Sequence, residues 1–169
     1  RVAAARLGAL IEELLILSRI EGGVLTPQPE ALVTGDVLEA VRSSAAEPDQ
    51  VLITGDVHQR VIADPSLLVR ALSLIVDNAV KYGGVAELTA LVDGGRWVVE
   101  VRDRGSGFPD DIRETAFEMF TRSQSNASVA GLGVGLAIAR TLVEVLDGTI
   151  AIDEHHAGPG ALVRLSLPG

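Results

Sequence analysis

Apolar residues recur at helical spacing from the start of the chain. Leu7, Leu10, Ile11, Leu14, Leu17 and Ile20 fall on one stripe, and Gly22 and Gly23 end it. Such a stripe needs a partner: either the rest of its own domain, or the other arm of a helical hairpin lying upstream. "VLTPQPE" interrupts the period with two prolines and predicts a linker at about 23 to 30. Thr34 is placed to cap a helix reaching about Ala46, and short apolar strands are predicted at "VLIT" and "RVIA". Asp64 followed by Pro65 is a cap and a first-turn proline, opening a helix that runs to about Tyr82 and stops at Gly83. "VAELTALV" and "RWVVEVRD" flank Asp93, Gly94 and Gly95, a hairpin signal. A loop and short helix lead to the polar stretch "TRSQSNASVA", and a glycine-rich turn then opens a helix from about Val134 to Leu146. "TIAIDE" and "ALVRLSL" form a last hairpin around "HHAGPG". Mostly antiparallel strands with helices covering one face predict an α+β fold, a two-layer α/β sandwich preceded by an N-terminal helix.

The chain has 169 residues, the size of one domain with a short appendage. Fourteen basic against 23 acidic residues give a net charge of −9, which excludes a sequence-independent grip on nucleic acid. With no cysteine there are no disulfides, thiolate metal sites or thiol chemistry. No apolar run approaches the roughly 20 residues of a membrane span, and nothing at the start reads as a signal peptide. No membrane contact by this segment and a cytoplasmic location are therefore expected. The opening in mid-helical pattern reads as a piece of something longer.

Three stretches carry candidate chemistry. In "DNAVKYGG", Asn78 and Lys81 are three apart and share a helix face. Lys81 is the only lysine in a chain whose other cations are all arginine. The plain reading is a polar outer face; the functional one is an amide oxygen for a hard cation such as Mg²⁺ beside a point charge for phosphate. Next, Asp103-Arg104-Gly105-Ser106-Gly107 follows a predicted strand. It suits any turn, yet a carboxylate at a strand end can also accept from an exocyclic amine, with glycines letting backbone approach a flat base. Third, Gly131-Leu132-Gly133-Val134-Gly135-Leu136 opens a helix, where free backbone N–H groups favour an anion, or it is simply a hinge. It is neither a Walker loop nor a dinucleotide fingerprint, since no Gly-Lys-Ser/Thr and no parallel βαβ unit accompany it.

In this order, Asn-x-x-Lys on a helix, Asp-x-Gly-x-Gly after a strand, "FEMF", and Gly-x-Gly-x-Gly into a helix resemble the ATP-binding catalytic domain of sensor histidine kinases. That domain shares a superfamily with the ATPase domains of gyrase, the Hsp90 chaperone and MutL. The resemblance implies that Asn78 binds Mg²⁺, that Lys81 contacts the phosphates of ATP, and that Tyr82 lies near the nucleotide. It implies that Asp103 accepts from adenine, with Gly105 and Gly107 shaping the base pocket. Phe117 and Phe120 correspond to the pair beside a mobile lid at about Thr121 to Ala130, and Gly131, Gly133 and Gly135, with Leu136, to the lid's far anchor. Residues 1–22 resemble the end of the second helix of the dimerisation and phosphoacceptor hairpin, 23–30 the linker, and 31–169 the catalytic domain. The implied partners are the protein's own upstream phosphoacceptor helix, a second copy in a homodimer, and a response regulator, with the full-length protein open to anchoring in the inner membrane.

The departures are specific. One turn before Asn78, the kinases usually carry a second asparagine and the ATP-hydrolysing relatives a glutamate; here the residue is Leu74, which can neither polarise water nor bind metal. Where the family often reads His-Gly-Gly, this chain reads Leu146-Asp147-Gly148. No phosphoacceptor histidine is present: His58, His155 and His156 lack its sequence context and read as surface turn residues, and Arg122 as a surface arginine with a secondary reading as a phosphate contact. Two alternatives follow, a nucleotide-binding regulatory module without phosphoryl transfer, and a related ATPase.

Overall fold

The computed structural model describes residues 2–110, 112–119, 133–153 and 158–169. The elements run α1 (Val2–Glu21), β1 (Glu30–Val33), α2 (Thr34–Ser44), a single 3-10 turn, β2 (Val51–Gly55), β3 (Arg60–Ala63), α3 (Pro65–Gly83), β4 (Ala86–Asp93), β5 (Arg96–Arg102), α4 (Gly135–Val145), β6 (Thr149–Ile152) and β7 (Leu162–Pro168). Five strands form one sheet in the order β2-β4-β5-β7-β6, antiparallel except for the parallel pair β2–β4. β1 and β3 make a separate two-stranded antiparallel sheet.

Alternation along the central strands decides which face is covered. Leu88 and Ala90 of β4, Trp97, Val99 and Val101 of β5, and Val163, Leu165 and Leu167 of β7 join the core with Leu68, Leu72 and Ile75 of α3 and Ile138 and Leu142 of α4. The residues between them, such as Glu100 and Arg164 (3.4 Å apart), form the polar outer face. Helices on one face of a mostly antiparallel sheet give the two-layer sandwich that the pattern predicts. Asp64 caps α3, its Oδ1 accepting from the Leu67 N–H at 3.1 Å, with Pro65 in the first turn. Its Oδ2 accepts from the Gln28 N–H at 2.8 Å, tying the linker to the same corner.

Two local expectations need correction. Thr34 is the first residue of α2 and not its cap: its hydroxyl donates to the Gln59 carbonyl (2.8 Å) and accepts from the Trp97 indole N–H (2.8 Å). The first amides of α2 are instead taken up by backbone, Thr34 N–H by the Gln59 carbonyl and Gly35 N–H by the Val57 carbonyl. "EALV" is a strand that its hydrophobic pattern did not announce.

The stripe of α1 is divided. Leu17 and Ile20 of the stripe are partly buried against the core, with the neighbouring Ile16, whereas Leu7, Ile11 and Leu14 of the stripe are exposed, as is Leu15 beside them. Among the described residues no helix is long and apolar enough to cross a membrane.

Candidate functional site

The C-terminal end of α3 and the C-terminal end of β5 meet, and there the first two candidate stretches come together. α3 is a strongly amphipathic helix whose apolar side, from Leu68 to Ala79, is buried. Asn78 is half-buried at its flank, and Lys81 and Tyr82 are exposed at its last turn, with Lys81 Nζ 4.9 Å from the centre of the Tyr82 ring. The helix closes at Gly83, and Gly84 follows in the left-handed region. Beside Asn78, Asp77 reaches solvent, yet partial desolvation of its carboxyl raises its pKa above the ordinary value while the charge of Arg70 pulls it down.

Asp103 lies one residue past β5 and is 6% exposed. A carboxylate is rarely this buried without partners. Its Oδ1 accepts from the Gly105 N–H at 2.8 Å and from the Ala161 N–H at 3.0 Å. Three backbone segments crowd it. A Cβ on Gly83 would fall 2.7 Å from Oδ1, one on Gly160 2.8 Å from the same oxygen, and one on Gly105 2.7 Å from the Tyr82 carbonyl. The end of α3, the turn after β5 and the turn before β7 therefore pack backbone to backbone around one carboxylate, a cradle that side chains would fill. Gly107 adjoins it, next to the Gly160 carbonyl.

One turn earlier on α3, towards Leu74, the start of α4 packs: Gly133 is half-buried in the left-handed region and Gly135 begins α4. A Cβ on Gly135 would lie 3.8 Å from Cδ2 of Leu74, so Leu74, 6% exposed, packs where α4 starts. Leu136 is buried in the core, so its side chain supports α4 rather than facing a ligand. α4 has neither a side-chain cap nor an acidic residue in its first turn, which leaves that end electropositive. Phe117 packs partly buried against the core. Phe120, Gly131, the expected lid with Arg122, and His155 and His156 lie outside the described residues. His58 is exposed in a turn, its N–H donating to Asp56 Oδ1 at 3.1 Å, and no group of three His, Cys, Asp or Glu able to hold a metal occurs among the described residues.

The motifs thus named Asn78, Lys81, Tyr82, Asp103, Gly105 and Gly107, and these converge on one corner. They missed Gly83, Gly160 and Ala161. The available signals were the paired glycines ending α3 and the Gly-Pro-Gly turn, but nothing in either says which distant residue it approaches.

Residues 63–169 match the family model described as histidine kinase-, DNA gyrase B-, and HSP90-like ATPase. The sensor-like histidine kinase SenX3 of Mycolicibacterium smegmatis is 36% identical over 173 residues, covering 96% of this chain and 45% of the relative. Sensor protein KdpD of Escherichia coli is 33% identical over 166 residues, covering 94% of this chain and 18% of KdpD. Full-length ShkA, solved in complex with AMPPNP, superposes with a TM-score of 0.78 at 25% identity, over 99% of this chain and 37% of that one. The chain spans less than half the length of these curated relatives. With the fold shared with solved histidine kinases and residues 63–169 matching the family model, the chain belongs to the histidine kinase-, DNA gyrase B- and HSP90-like ATPase family, in its sensor histidine kinase branch.

Proposed function

We propose that this chain binds ATP at the α3–β5 corner and, within its full-length protein, transfers the γ-phosphoryl group to a histidine on an upstream helix, for relay to a response-regulator aspartate. The observation that carries the reading is Asp103: a carboxylate 6% exposed, held on one oxygen by two backbone N–H groups, where glycines let three backbone segments pack closely around it. Its open oxygen suits an exocyclic amine, as in adenine. Lys81, Tyr82 and the end of α3 border the same corner, and Gly133 and Gly135 bring the uncapped start of α4 towards the triphosphate.

Mg²⁺ fits the donor set. The amide oxygen of Asn78, half-buried on α3, would hold the ion alongside phosphate oxygens, as this hard cation is usually bound. Its contribution is to neutralise phosphate charge. The chain's own residues orient the nucleotide, and the acceptor imidazole, already a nucleophile, forms the new P–N bond as the bond from the γ-phosphorus to the bridging oxygen breaks and ADP leaves. Residues 1–22 are the end of the dimerisation and phosphoacceptor hairpin, 23–30 the linker and 31–169 the catalytic domain. The exposed half of the α1 stripe suits the missing arm and a homodimer. The segment resides in the cytoplasm.

A longer chain that includes the upstream hairpin, incubated with γ-labelled ATP, should accumulate acid-labile phosphohistidine, while these 169 residues alone bind ATP without becoming labelled. Leu74, an apolar residue buried beside α4, is the one feature that bears on a nucleotide-binding module without transfer, a reading that the sensor histidine kinase relatives do not favour. A longer chain with an intact acceptor histidine that binds Mg²⁺-ATP but stays unlabelled supports that module.

A further inference from the structure

We propose that the turn at Gly158–Ala161 positions Asp103, the Ala161 backbone N–H fixing which carboxylate oxygen is offered to a purine. Resting on the nucleotide-binding reading above, this assigns a role to a segment outside every motif. The β5–β7 ladder ends with Arg102 opposite Leu162. One residue further, the Asp103 N–H still donates to the Ala161 carbonyl at 3.0 Å, as the ladder would continue. The return bond differs: the Ala161 N–H donates to Oδ1 of the Asp103 side chain, also at 3.0 Å, and not to a backbone carbonyl. The side chain has taken the place of main chain in the last rung.

With the Gly105 N–H on the same oxygen at 2.8 Å, Oδ1 has two donors and Oδ2 has none among the described residues. Two donors on one oxygen resist rotation of the carboxylate about its terminal bond. The remaining oxygen is then a fixed acceptor, which attracts an amine at purine C6 and repels a carbonyl there. Gly160 makes the approach possible. Its φ is +91°, and a Cβ there would run into the Asp103 backbone carbonyl.

The test is a double-mutant cycle read by calorimetry with two nucleotides, ATP and inosine triphosphate, which carries an oxygen at C6. Ala161→Pro deletes the N–H donor and keeps the carbonyl. It should weaken ATP about tenfold, the value of one charge-assisted hydrogen bond, while inosine triphosphate changes by roughly twofold or less, so that the preference for ATP shrinks. In an Asp103→Ala background the same substitution should cost nothing further. Equal weakening of both nucleotides, or losses that multiply in the double variant, overturns the positioning role and leaves ATP binding standing. An unmodified chain that binds no adenine nucleotide overturns the binding reading itself. Should the proline variant fail to fold, Gly160→Ala decides: lost discrimination in a folded variant supports the role, and retained discrimination overturns it.

Discussion

At the start of β5 the Trp97 indole N–H donates to Thr34 Oγ1, and the Thr34 hydroxyl donates on to the Gln59 carbonyl, each at 2.8 Å. Thr34 is fully buried, and its hydroxyl both donates and accepts inside the protein. Just past the other end of β5, Asp103 is almost as buried, but both of its accepted bonds fall on Oδ1. The two ends of one strand thus treat buried polarity in opposite ways. A closed set of hydrogen bonds holds α2, the turn before β3 and the sheet together. The half-open one keeps a second acceptor, Oδ2, that is not sealed from solvent and that a ligand could take up.

The difference can be sharpened with a third buried position that has no polar group at all. Leu74 sits in the core against the start of α4, so Leu74→Asn removes packing and buries an amide; it should lower stability by about 3 kcal/mol in denaturant melts. The position therefore tolerates a polar contact poorly in this chain. Thr34→Val comes next. It leaves the Trp97 N–H without its acceptor and should cost about 1–3 kcal/mol, with the ATP dissociation constant unchanged once the variant is folded. A fall in ATP affinity without loss of stability would break the distinction between the two ends. The smallest effect is expected at Asp77. Its folded pKa lies above the ordinary 3.8, so ionisation is disfavoured in the fold and stability is lost as pH rises through and beyond that value. Asp77→Asn should remove that loss, giving a slight gain at neutral pH and none in strong acid, with solvent screening and Arg70 keeping it small. Stability measured against pH for both chains checks the sign.

What the sequence made legible was local. Asp64-Pro65 and the closing glycines mark α3, Asp93-Gly94-Gly95 the β4–β5 hairpin, and three-residue spacing puts Asn78 and Lys81 on one face. The rest depended on distance along the chain. Thr34 has the residue type of a cap, but its hydroxyl is claimed by Trp97, 63 positions away. β1 is short and half-exposed, and it is a strand because β3 lies beside it. The parallel pairing of β2 with β4 has no signature in either segment. At the site, a carboxylate after a strand was visible, but its second backbone donor, Ala161, lies 58 residues on, in a turn that reads only as a turn.

Asp103→Asn tests the central claim most directly, because asparagine can keep its oxygen on the two backbone donors and replace only the open oxygen with an amine. Calorimetric titration of ATP, with and without Mg²⁺, is made on this variant, on Asn78→Ala and on the unmodified chain. The account predicts that Asp103→Asn melts like the parent and binds ATP about tenfold more weakly or worse, whether or not Mg²⁺ is present. Asn78→Ala should lose only the Mg²⁺-dependent part. Parental ATP affinity in Asp103→Asn, or equal and Mg²⁺-independent losses in both variants, would contradict it.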